Sequence, residues 1–82
     1  MKINLSVTYL DGNKKDLTAT AADLVAFETE FDLSIARLET EIRWTHICFI
    51  AWHIEHRTGS TKAEFKDWLN TVELAEFADT KK

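Results

Sequence analysis

The 82-residue chain reads as a mainly helical α+β protein, an N-terminal two-stranded antiparallel hairpin packed on three or four helices. Three observations predict this class. Residues Ile3, Leu5, Val7 and Tyr9 alternate with polar neighbours, the period-two pattern of a half-buried strand. Two stretches, Thr20-Ala21-Ala22-Asp23 and Thr61-Lys62-Ala63-Glu64, have the spacing of helix capping boxes. Between them lies an apolar run of helical length that ends on Gly59.

The hairpin comes first. Asp11-Gly12 signals a tight turn after the first strand. A two-residue loop would set Leu17 opposite Ser6 and send it to the wrong face. An odd loop, Leu10-Asp11-Gly12, sets Leu5 opposite Leu17 and Ile3 opposite Ala19, with Gly12 left-handed. The second strand then ends at the first capping box, and Leu24, Phe27 and Phe31 share the inward face of the helix that follows. Between Asp32 and Thr40 a bend and a continuous helix are both open, since Ile35, Leu38 and Ile42 keep helical spacing while Thr40 could cap a new helix. Ala36 to Glu41 holds no turn-forming residue.

The central helix spans Glu41 to Thr58, with Gly59 as its left-handed cap. Ile47, Ile50, Ala51 and Ile54 form a wide apolar band joined by Trp44 and Cys48, while Ile42 and Phe49 lie nearly opposite and Trp52 between. Only Glu39, His46, His53 and Arg57 make a consistently polar stripe. After the second capping box, Phe65, Trp68, Leu69 and Val72 follow the i, i+3, i+4, i+7 spacing of an amphipathic helix. Residues 1–74 thus make a single α+β domain, and residues 75–82 a short flexible C-terminal tail.

Composition bounds the function. A net charge of -4, with seven basic and twelve acidic groups in residues 23–82, offers no cationic stripe for phosphates, so neither nucleic acid nor an anionic membrane is expected as a partner. The N-terminus lacks the apolar stretch of a secretory signal, no run reaches the length of a membrane span, and a lone cysteine fits a reducing cytoplasm. With only two glycines, assigned to a turn and a cap, there is no phosphate-binding loop.

No catalytic, cofactor or metal site is expected. His53 and His56 could stand side by side on a helix, but a third zinc ligand is missing, and basic groups in a last helical turn also suit the helix dipole. Cys48 and His46 are two residues apart and point away from each other on a helix, so the thiol reads as buried and inert. Core packing is the default for Trp44 and Trp68. For Phe49 and Trp52 core and interface readings stand level, because so small a chain has little with which to cover a helix that is apolar nearly all round. The candidate partner-binding surface is therefore Phe49 and Trp52, extended by Leu74 and Phe77.

Several stretches carry a resemblance: Val7-Thr8-Tyr9-Leu10-Asp11-Gly12, Asp23-Leu24-Val25-Ala26-Phe27-Glu28, Ala51-Trp52-His53 with His56-Arg57-Thr58-Gly59, and Phe65-Lys66-Asp67-Trp68-Leu69-Asn70-Thr71-Val72-Glu73. In order and spacing, over residues 3 to about 77, the chain resembles the small tail assembly chaperones of long-tailed bacteriophages. That resemblance implies a non-enzymatic protein of the infected host's cytoplasm, absent from the mature virion, which binds the tape measure protein and helps recruit tail tube protein subunits. It also implies a frameshifted longer product, which a protein sequence does not reveal. Self-association into a homo-oligomer is a further expectation. The rivals are a small structural tail or connector subunit and a cytosolic protein-binding regulator.

Overall fold

A computed structural model describes residues 3–34 and 43–78. The described elements run β1 (Ile3–Tyr9), β2 (Lys14–Ala19), α1 (Ala21–Phe31), α2 (Trp44–Thr58), α3 (Phe65–Leu69) and β3 (Val72–Phe77). The fold is α+β, but the sheet has three antiparallel strands in the order β2-β1-β3, not the two of a lone hairpin.

The hairpin forms with the odd-loop register. Leu5 pairs with Leu17 and Ile3 with Ala19, and Gly12 sits at φ 94°, where a side chain would be strained. β1 is the central strand because both of its edges are taken, by β2 and by β3. Its Leu5 and Val7 are fully buried beneath the helices.

The third strand corrects the sequence reading, which runs a helix through Val72 and begins a flexible tail at residue 75. α3 is only five residues long and stops at Leu69. The Thr71 hydroxyl donates to the Trp68 carbonyl (2.7 Å) and the Leu10 N–H to the Thr71 carbonyl (2.9 Å), which swings the chain onto the open edge of β1. Val72 then opposes Tyr9, Ala75 opposes Val7 and Phe77 opposes Leu5, with an irregularity between Thr8 and Tyr9. A two-stranded hairpin alone is marginal in water, and the long-range pairing of β3 outweighs the local helical pattern. Residues 79–82 lie outside the described ones.

α1 starts at the predicted capping box and ends on Asp32, which is left-handed at φ 51° and donates its N–H to the Glu28 carbonyl. Of the two readings left open from Asp32 onward, the chain takes the break, at Asp32 itself. Ile35, Ala36, Leu38, Glu39, Thr40, Glu41 and Ile42, on which other expectations rest, lie outside the described residues. α2 ends on Gly59 at φ 87°, whose N–H reaches the carbonyls of Glu55 and His56. The second capping box does not form as read: the Thr61 hydroxyl accepts from the Ala63 N–H (3.2 Å), and Glu64 is the N-cap residue of α3.

α2 lies at the centre, touching α1, α3, β2 and β3. The core gathers Leu5, Val7, Phe27, Ile47, Phe49, Ile50, Ile54 and Trp68, and each such side chain is worth about 1.5 to 3 kcal/mol of burial. No helix among the described residues is long and apolar enough to cross a membrane.

Candidate functional site

Two buried carboxylates organise the polar chemistry, and both meet the C-terminal half of α2. Asp23, in the first turn of α1, is 0% exposed. Its Oδ2 accepts from the Thr20 N–H (2.8 Å), the Thr20 hydroxyl (3.1 Å) and Arg57 Nη2 (2.8 Å), and its Oδ1 from Arg57 Nε (3.0 Å) and His53 Nδ1 (2.7 Å). The guanidinium grips the carboxylate with two nitrogens, the geometry that makes such pairs strong. Burial pushes the Asp23 carboxyl up, but the hydrogen bonds from Arg57, Thr20 and His53 together outweigh it and hold the group at about 2. The carboxylate is therefore ionised, and His53 Nδ1 must be the donor. With both oxygens saturated, Asp23 has no free lone pair with which to act as a base. What it does is clamp the start of α1 to the end of α2.

Glu55 sits on the other side of α2 and is 3% exposed. It accepts from the Tyr9 hydroxyl on Oε2 and from Trp68 Nε1 on Oε1 (3.2 Å), so one carboxylate joins β1, α2 and α3. Burial first, and then the bond and charge of Glu55, push the Tyr9 hydroxyl well above its ordinary value of 10.0. Nothing in the sequence pattern singled out Glu55, because an apolar helix flank with one acid looks like a solvated face. The signal that could have found it is its helix face, since Ile47, Cys48, Ala51 and Trp52 precede it at i−8, i−7, i−4 and i−3.

The aromatic residues form a connected set along the same helix. Phe31 packs edge-on to Phe49 at 5.3 Å, Phe49 touches Trp52 at 5.6 Å and Phe65 at 5.7 Å, and Phe65 stacks on Trp68 at 6.5 Å. Trp52 also donates from Nε1 to the Ala63 carbonyl (2.9 Å).

The predicted partner-binding residues do not form one exposed surface. Phe49 is 8% exposed and belongs to the core, because α1 and α3 close over the side of α2 that a projection of the helix alone leaves bare. Trp52 is half-buried. Leu74 and Phe77 both lie in β3, three residues apart, and so point to opposite faces of the sheet. The polar stripe is corrected as well: His46 is buried against the rings of Phe27 and Phe31 at 5.2 and 4.9 Å, while His53 and Arg57 turn to Asp23. Trp44, expected in the core, is 62% exposed.

Cys48 is half-buried, and burial pushes its thiol up, away from the thiolate that reactive cysteines need. Among the described residues no group of three or more His, Cys, Asp or Glu side chains could hold a metal ion. Comparison of the chain with protein-family models, with characterised proteins and with solved structures returns no match.

Proposed function

We propose that this protein is a non-enzymatic assembly chaperone that binds a tape measure protein and helps recruit tail tube subunits in the cytoplasm of a phage-infected host. The reading rests on the resemblance to small tail assembly chaperones, and one structural observation supports it. Asp23, His53, Arg57 and Trp68 belong to three of the stretches that carry the resemblance, and in the fold they serve packing: the first three make one hydrogen-bonded clamp and Trp68 anchors the core. A motif that preserves a fold for binding would look like this.

The surface proposed for the partner is the stripe Trp44, Cys48 and Trp52, spaced i, i+4, i+8 along α2 and open chiefly at Trp44. A projecting tryptophan is the residue type that most often dominates binding energy at protein interfaces. The test is co-expression with the tape measure protein encoded alongside this chain. Soluble tape measure should accumulate with the wild type and fall at least severalfold with Trp44→Ser, while that variant keeps its melting temperature. Equal tape measure solubility with and without the chain would overturn the reading, and recovery of the chain from purified virions would favour the structural-subunit rival.

A further inference from the structure

Among the described residues the sheet has two unpaired edges that differ in charge, and we propose that copies of this protein join head to tail through them, the β2 edge of one copy against the β3 edge of the next. The inference stands on the sheet itself and does not depend on the chaperone reading.

The register shows which backbone groups are unused. Tyr9 donates its N–H to the Asn13 carbonyl (2.8 Å), so by the two-residue period Lys15, Leu17 and Ala19 turn their backbone groups towards β1, and those of Lys14, Asp16 and Thr18 face away. On the other side Ala78 donates to the Asn4 carbonyl (2.8 Å), so Glu76 and Leu74 face β1, and the groups of Ala75 and Phe77 face away. Among the described residues neither outer strand pairs with a further strand. Such an edge is a template for another strand.

Charge selects which strand. β2 begins with exposed Lys14, Lys15 and Asp16 and keeps a net positive charge, whereas β3 carries exposed Glu73 and Glu76 and no basic residue. A symmetric antiparallel β3 to β3 seam in which the outward-facing Ala75 and Phe77 exchange backbone bonds would set Glu76 opposite Glu76 of the second copy, and like charges directly opposite are destabilising. A β2 to β2 seam would be cationic overall. A seam of β2 with itself can pair Lys14 with Asp16 but then sets Lys15 against Lys15, whereas the β2 to β3 seam brings opposite charges together without facing lysines. Both strands run antiparallel to β1 and therefore parallel to each other, so copies repeated in the same orientation pair them in parallel, with Lys14 and Lys15 beside the Glu73 end and every helical layer on one side. Because each copy uses two different patches, the contact is heterologous and builds open chains or rings, not closed dimers. One six-residue strand is a small interface, so the association is weak and concentration-dependent.

Sedimentation velocity over a concentration series tests this, with folding of each variant checked by circular dichroism. Wild-type protein should form a ladder of species larger than a dimer at low salt, and added salt should dissolve it by screening the seam. K14E/K15E has two acidic edges and E73K/E76K has two basic ones, so each alone should remain monomeric. Mixed in equal amounts they should regain the wild-type ladder by alternating along the chain. A wild type that stays monomeric throughout, or associates more strongly as salt rises, overturns the proposal without recourse to any variant. So do folded variants that each self-associate like the wild type, or whose mixture stays monomeric.

Discussion

Replacing Asp23 with Asn tests the clamp between α1 and α2 with almost no change of shape. A carboxyl held at about 2 against an ordinary 3.8 corresponds to roughly 2.5 kcal/mol at about 1.36 kcal/mol per unit. Arg57 and His53 are partly open to solvent, which screens the interaction, so about 1 to 2 kcal/mol is the working figure. The amide adds a cost of about 1 kcal/mol, because its NH2 group would face donors from Thr20 or Arg57 where the carboxylate accepts. Asp23→Asn should therefore lose about 2 to 3 kcal/mol at neutral pH and lower the melting temperature by on the order of 10 °C for a chain of this size. The pH dependence has a definite sign. A carboxyl depressed in the folded state contributes its full stability above the unfolded value near 4, and that contribution is lost as pH falls towards and through about 2. Urea denaturation of both proteins between neutral pH and pH of about 2 should show the gap narrowing over that interval as wild-type Asp23 takes up its proton. A gap below about 0.5 kcal/mol at neutral pH, or one unchanged in acid, would refute the claim that the ionised carboxylate holds the helices together.

Three further outcomes follow from the packing. Trp68→Ala should cost about 3 to 5 kcal/mol in chemical denaturation, since it empties a core position and strips Glu55 of a donor; a loss under about 1 kcal/mol would contradict its burial. Phe49→Ser should unfold the protein or broaden its melt, in contrast with Trp44→Ser, which should stay within about 0.5 kcal/mol of the wild type; near-native stability of the Phe49 variant would return that ring to the surface. Tyr9 is the only tyrosine, so an ultraviolet absorbance titration reads it directly. Its ionisation should be missing at pH 10 and appear only with unfolding, and an ordinary titration would mean that its bond to Glu55 is absent in solution.

Residue order along the chain determined the elements whose stability is local. The hairpin register follows from Leu5, Leu17 and the Asp11-Gly12 turn, the first helix from its capping box and the end of α2 from Gly59, because each depends on backbone conformation or face alternation within a few residues. Only the tertiary structure decided the fate of residues 72–77, the exposure of Trp44 and Phe49, and the roles of Asp23 and Glu55. Phe65, Trp68, Leu69 and Val72 match a helix by spacing, yet the chain turns after Leu69 because β1 has a second edge to fill, and nothing in a local window records a strand more than sixty residues away. Trp44 and Phe49 lie five residues apart on one helix; α1 and α3 cover the second and leave the first open. The two carboxylates could be recognised only after folding, since Asp23 meets His53 and Arg57 thirty and thirty-four residues away, and Glu55 meets Tyr9 across forty-six. A buried charge is tolerated where long-range partners hydrogen-bond it, and long-range partners are what a one-dimensional pattern does not contain.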